Sequence, residues 1–269
     1  MANINTAAPK VLAILQARMS SNRLPGKVLK KILGKPMLAL HLERLQASTR
    51  IDQLVVATSD EPSDDGIEHL CQQLKVNCFR GSLNNVLDRF YQAAQQYNQN
   101  NSIEHIVRLT GDCPLADSEI IDQLIIKHIN SDACYSSNVV PATYPDGLDA
   151  EIFPMTQLAS AWKNASSAFE LEHVTPYIRE HCTNMQNLNF QRDTSHHRWT
   201  VDLAEDFELV TRIYETLYPI NPRFTFLDTL KFVENNAELS AISTRKVSSE
   251  SSNSQANAER FRTEYDIKI

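Results

Sequence analysis

Apolar and polar positions along this chain alternate between two periods. A solid apolar run at 11–15, within a strand-like stretch 11–17, reads as a buried strand, and shorter runs recur at 54–58, 76–79, 105–109 and 133–135. Between them, apolar residues return every three or four positions. Met37, Leu38, Leu40, Leu42 and Leu45 form one stripe behind Pro36, a residue suited to a helix's first turn. Ile67, Leu70 and Leu74 form a second, with Ser63 placed to cap it. Val86, Leu87, Phe90, Tyr91, Ala94 and Tyr97 form a third, and 118–129 a fourth. Strands alternating with helices predict an α/β fold with a mostly parallel sheet covered by helices. The second half is less regular. It carries a turn signal at Tyr144-Pro145-Asp146-Gly147, a strand at 148–153 and helices at 156–163, 171–182, 204–217 and 226–235. Residues 188–191 and 198–201 read as a strand pair. The run SSESSNSQANA cannot bury a core, so 246–269 read as a polar, mobile tail behind one globular unit spanning 1–245.

Composition narrows the classes. At 269 residues, 42% hydrophobic and 22% charged, the chain buries a sizeable core without staples. A net charge of −7 argues against a general nucleic-acid binder while leaving room for a local basic pocket. The five cysteines, Cys71, Cys78, Cys113, Cys134 and Cys182, show no CxxC spacing. Neither a zinc site nor a disulfide framework is expected, and reduced thiols in the cytoplasm are. The apolar stretch after Lys10 is too short for a signal peptide. No segment approaches the roughly 20 apolar residues that span a bilayer, so no membrane partner is expected.

Chemistry gathers where strands end. The first strand empties into a loop bearing Arg18, Arg23 and Lys27, with Ser20, Ser21, Asn22 and Gly26 between them. Ligands of open α/β sheets sit at the carboxyl ends of strands. Arg and Lys give charge-assisted hydrogen bonds to phosphate. The loop is therefore a candidate polyphosphate clamp, the alternative being a solvated basic turn. It is no Walker A loop, since Val28 follows Gly26-Lys27, and no GxGxxG occurs. With six glycines in the chain, phosphate must be held mainly by side chains. Asp112, in Gly111-Asp112-Cys113-Pro114, is either a ligand for a hard divalent cation or a turn aspartate bonded to its own backbone. Asp202 is a second candidate for the same ion, whereas Glu205 and Asp206 read as helix caps. Asp146, Asp149 and Glu151 are candidate contacts for a polar substrate. Asp149 and Glu151 share a face if they lie on a strand, which leaves a solvated face as the alternative. Glu172 and His173 either touch substrate or make surface salt bridges. Cys113 reads as a small filler, and the neighbours His196 and His197 as no metal site.

The segments QARMSSNRLPGK, TSDEPSDD, CFRGSLNNVLDRFYQA, RLTGDCPL, TYPDGLDAEIF and EHVTPYI occur in one order. Together they resemble the cytidylyltransferase family, which includes the CMP-sialic acid and CMP-Kdo synthetases, in its spore-coat polysaccharide SpsF-type branch. The resemblance covers 10–235. It implies a Rossmann-like three-layer α/β/α sandwich of the nucleotide-diphospho-sugar transferase type. It also implies Mg²⁺-dependent transfer of CMP from CTP to a sugar with release of pyrophosphate, and a homodimer. Arg18 and Lys27 match the family's triphosphate-binding loop, with Ser20 and Arg23 in the same motif. Asp112 matches the magnesium aspartate of a GDxP segment. Asp202 matches a second metal aspartate, with Leu203-Ala204 standing where the family has Thr-Pro. Three alternatives stay open: a nucleotidyltransferase using another base such as GTP, a glycosyltransferase on the same fold, and a non-catalytic nucleotide-binding protein. The glycosyltransferase normally needs a DxD-type motif, to which Asp149-Ala150-Glu151 is only loosely similar.

Overall fold

A computed structural model describes residues 9–98 and 102–245. Its strands are β1 (Lys10–Gln16), β2 (Lys31–Ile32), β3 (Lys35–Pro36), β4 (Gln53–Ser59), β5 (Asn77–Gly81), β6 (Ile103–Thr110), β7 (Tyr135–Ser137), β8 (Glu151–Pro154) and β9 (Met185–Asn187). Its helices are α1 (Met37–Leu45), α2 (Asp65–Leu74), α3 (Val86–Tyr97), α4 (Ser118–Asn130), α5 (Met155–Asn164), α6 (Ala168–His173), α7 (Pro176–His181), α8 (Ala204–Leu217), α9 (Phe226–Glu234) and α10 (Ala237–Ser243). Seven strands form one sheet in the order β5-β4-β1-β6-β8-β7-β9. All neighbours pair in parallel except those of β8, which runs antiparallel to both β6 and β7. β2 and β3 form a separate two-stranded ribbon.

The two-residue period of β1 explains the layering. Val11, Ala13 and Leu15 join one core cluster with residues of α1, α2, α4, α8, α9 and α10. Leu12 and Ile14 join the other, with residues of α3, α5 and α7. The sheet is thus buried on both faces, which is why its central strands read as solid apolar runs. This is the expected three-layer α/β/α sandwich. Register sets the working edge. Gln16, at the end of β1, lies opposite Ala57 of β4 and Thr110 of β6. The loops leaving these strands therefore emerge side by side.

Several local expectations need correction. The helix expected at 171–182 is two helices, because Val174 takes φ 69 and Pro176 starts a new first turn. The pair expected at 188–191 and 198–201 is not a strand pair: the edge strand is β9, and Arg198 makes an isolated bridge to Asp146. The strand expected from 148 begins at Glu151, so Asp149 precedes it. Ser63 lies within a single turn of 3-10 helix ahead of α2 rather than capping it. The thiols are not all reduced. Cys134 and Cys182 form a disulfide with Cα atoms 5.7 Å apart. Their separation of 48 residues gave no signal. They meet because the start of β7 runs beside β9, where Cys134 N–H donates to Asn184 O at 3.1 Å. Among the described residues, no helix is long and apolar enough to cross a membrane. The tail expected to be mobile, 246–269, lies outside the described residues.

Candidate active site

The loop after β1 is held before any ligand arrives. Asp64, fully buried, accepts Met19 N–H at 2.7 Å, Thr58 Oγ1–H at 3.0 Å and Ser59 N–H at 3.1 Å, and also the Ser59 hydroxyl. Burial alone would raise this carboxyl; the donors outweigh it and keep its pKa below the usual value. The loop is thereby tied to the end of β4. Gly26 then turns the chain with φ 70, opening a 3-10 turn (Lys27–Leu29) that sends Lys27 inward.

Lys27 is only 7% exposed. Its ammonium donates to Val201 O at 2.7 Å, to Asp202 Oδ1 at 3.0 Å and to Asp112 Oδ2 at 3.3 Å. Residues from three distant parts of the chain therefore meet at one nitrogen. Burial alone would lower the lysine pKa, but the two carboxylates outweigh it and hold it raised. Burial likewise opposes ionisation of Asp112, yet Lys27 and Thr110 bring its pKa down to about 2. Buried charges persist only when paired in this way. Asp202 is bonded on both oxygens: Arg23 lies 2.9 Å from Oδ1 and Arg198 2.7 Å from Oδ2. Val201 N–H donates to Asp112 O at 2.8 Å, stitching the two acid-bearing segments together.

Arg18 and Ser20 are exposed on the same loop. No carboxylate lies within 4 Å of Arg18 among the described residues. Arg18 is close enough to the buried Arg89 that, after burial, it helps lower the Arg89 pKa to about 10. Asp64 and Asp60 offset part of the Arg89 charge, so the exposed Arg18 guanidinium is the group at this edge that best suits a polyanion.

The acidic turn lies on the other side of Asp202. Arg198 donates to Asp146 Oδ2 at 2.8 Å. The Asp149 carboxylate accepts Gly147 N–H at 3.2 Å. Burial, with the nearby acids, pushes Asp146 up to about 6 and Asp149 up to about 8. The structure places Glu151 elsewhere. It is 7% exposed, ion-paired to Arg108, and accepts the hydroxyls of Tyr135 at 2.6 Å and Thr175 at 2.8 Å. Glu172 is exposed on α6, and His173 packs on Phe169 with ring centres 4.5 Å apart. Neither belongs to the cluster around Lys27. Asp206 caps α8 through Asp202 N–H at 2.9 Å and Leu203 N–H at 2.8 Å, and it also pairs with Arg198 and Arg245. Burial pushes the Cys113 thiol up, and Asp112 adds to the effect, so it is a neutral filler. His197 is buried and shares a hydrogen bond with Ser243 Oγ at 2.9 Å, a core role.

Sequence reasoning assigned no role to Asp64, Arg198 or Arg108. Asp64 is one of four acids in TSDEPSDD, and nothing in that run marks which one turns inward. Arg198 stands ahead of the apolar pattern WTV, where an interior cation is not anticipated.

This geometry gathers paired cations and carboxylates at the carboxyl edge of a mostly parallel sheet. The chain belongs to the cytidylyltransferase family, whose model matches residues 12–244. It is thus a nucleotidyltransferase, with the fold of the nucleotide-diphospho-sugar transferases. It is similar to an uncharacterised protein of Methanocaldococcus jannaschii, 36% identical over 87% of this chain and 94% of that one. It is similar also to the spore coat polysaccharide biosynthesis protein SpsF of Bacillus subtilis, 34% identical over 76% of this chain and 86% of that one. A solved cytidylyltransferase from Leptospira borgpetersenii superposes with a TM-score of 0.81 at 32% identity, covering 88% of this chain and 98% of that one.

Proposed function

We propose that this protein is a Mg²⁺-dependent cytidylyltransferase joining CMP from CTP to a hydroxyl of an acidic or surface-polysaccharide sugar, with release of pyrophosphate. The observation that carries this reading is the Lys27 ammonium held between Asp112 and Asp202. Two carboxylate oxygens close enough to share one ammonium are close enough to share one metal ion. Mg²⁺ is commonly held by one or two carboxylates together with substrate phosphates. Among the described residues no three His, Cys, Asp or Glu side chains gather into a cage. That pattern fits an ion held partly by the nucleotide. Asp112 and Asp202 would hold it, and it would supply Lewis-acid polarisation of the phosphoryl oxygens.

The chain's own groups do the rest. Lys27 and Arg23 exchange their bonds with Asp202 for phosphate oxygens. With Arg18 and Ser20 they bind the triphosphate and stabilise charge growing on the departing pyrophosphate. Asp146 and Asp149 accept hydrogen bonds from sugar hydroxyls and orient the attacking oxygen in line. The SpsF relative's name, spore coat polysaccharide biosynthesis protein, supports a polysaccharide sugar. The test is pyrophosphate release across the four nucleoside triphosphates and a sugar panel with Mg²⁺. CTP with one sugar is expected to support turnover. Asp112→Ala is expected to lower it by on the order of 10²–10³ while the protein stays folded. Undiminished turnover in that variant, or release from GTP but not CTP, refutes the reading.

A further inference from the structure

The Arg198 side chain touches both halves of the site. It is 3% exposed, with Nη1 2.8 Å from Asp146 Oδ2 and Nη2 2.7 Å from Asp202 Oδ2, and Asp206 Oδ2 3.5 Å away. Its backbone N–H is fixed to Ser243 O at 2.8 Å, anchoring the residue to the end of α10. The turn it reaches is stitched to the same segment. Asp146 O accepts Trp199 N–H at 2.6 Å and Thr200 N–H at 3.0 Å, and Asp146 N–H donates to His197 O at 3.1 Å. Gly147 lies so close that a Cβ there would stand 2.4 Å from Thr200 N. A continuous line of bonds therefore runs from the acidic turn through Asp146, Arg198 and Asp202 to Lys27 and Arg23 on the phosphate loop.

We propose that Arg198 is a positioning residue that shares one guanidinium between Asp146 and Asp202, so that the state of the acceptor-side turn sets the affinity for nucleotide and metal. The inference rests on the Mg²⁺·CTP reading above. While Asp146 holds Nη1, the guanidinium is pulled outward. Asp202 is then oriented through one oxygen, leaving the other for Lys27, Arg23 or an ion. When Asp146 loses its charge its hold on Nη1 weakens, and the fork shifts towards Asp202 and competes for that second oxygen. An acceptor that anchors Asp146 steadies Asp202, and by reciprocity nucleotide and metal order the turn.

The probe is Mg²⁺·CTP alone, titrated calorimetrically against wild type, Asp146→Asn, Arg198→Lys and the double variant. Asp146 is half-buried and Asn matches its shape, so the Asn variant is expected to fold, which thermal melting checks. Arg198→Lys keeps a cation in the cluster but has no fork to span both acids, and thermal melting checks its fold. Asp146→Asn is expected to weaken Mg²⁺·CTP binding about five- to tenfold, and by less than about twofold when Lys already stands at 198. A purely structural Arg198 gives equal effects in both backgrounds. Additivity, or an unchanged affinity in Asp146→Asn alone should the lysine variant misfold, overturns the coupling while leaving the cytidylyltransferase reading intact. No binding of Mg²⁺·CTP to the wild type sinks both.

Discussion

Replacing Lys27 by Met tests the centre of the site through stability, independently of any substrate. The substitution keeps the unbranched stem as far as Cε and removes the ammonium. Asp202 retains Arg23 and Arg198, but Asp112 loses its cation and Val201 O its donor. Breaking a buried pair by removing one partner costs ~3–5 kcal/mol. The lower end applies here, because the Asp112 side chain is 33% exposed. Lys27→Met is therefore expected to lose ~3 kcal/mol at neutral pH.

The pH dependence makes the test sharper. Asp112 has a folded pKa of about 2, against an ordinary 3.8. A depressed folded pKa stabilises above the unfolded value, and that stability fades as pH falls from about 4 towards 2. At ~1.36 kcal/mol per unit the upper bound is ~2.5 kcal/mol. Solvent screening at a partly exposed carboxylate cuts this to ~1 kcal/mol. In Lys27→Met the largest source of the depression is gone, Thr110 remaining, so the gap between the two proteins narrows by ~1 kcal/mol between about pH 5 and pH 2.5. Urea denaturation in EDTA across that range, with unchanged m values, measures it. Parallel stability curves, or a gap that widens in acid, would refute the pairing argument.

Two further substitutions probe the site from either side. Arg18→Ala, at an exposed guanidinium, is expected to shift stability by less than ~0.5 kcal/mol. Turnover of Mg²⁺·CTP should fall by on the order of 10²–10³, so a thermal melt and a pyrophosphate assay on one preparation separate the two effects. Gly147→Ala places a Cβ 2.4 Å from Thr200 N and 2.5 Å from the Trp199 carbonyl carbon at φ +112. A loss of ~3 kcal/mol or more is expected by denaturant titration, and a neutral outcome would show that the turn has room to move.

The legible and illegible parts of the chain divide along a physical line. β1, β4, β6 and the helices α1, α3, α4, α8 and α9 stand out because each buries a continuous run or stripe, and burial writes a period into the sequence. Asp112 and Lys27 stand out because a strand end supplies their context. Edge strand β9, three residues long, buries too little to leave a pattern. The α6–α7 break turns on Val174 with positive φ and on Pro176 behind it, and the apolar period encodes neither. Glu151 illustrates the limit most clearly. Its place in TYPDGLDAEIF suggests a ligand contact, but only the antiparallel register that sets Arg108 opposite it determines that it spends its charge inside the protein.

The scarcity of glycine explains why the site is so heavily ion-paired. A phosphate cradle made of backbone N–H groups is fixed by the chain's own geometry and needs no counter-ions. A cradle of Arg and Lys side chains has rotamer freedom to lose and a like-charge repulsion to overcome before phosphate arrives. Lys27 and Arg23 meet both demands by resting on Asp202 and Asp112, and Asp202 stays in place because Arg198 grips its far oxygen. On the same reading, the carboxylates proposed to hold a metal ion would also store the proposed phosphate-binding cations near the positions they need. On the reading proposed above, phosphate and ion would enter as one neutralising exchange, the cations leaving the acids for phosphate and the acids taking the ion, so that neither set of charges would be left bare in the partly buried cleft.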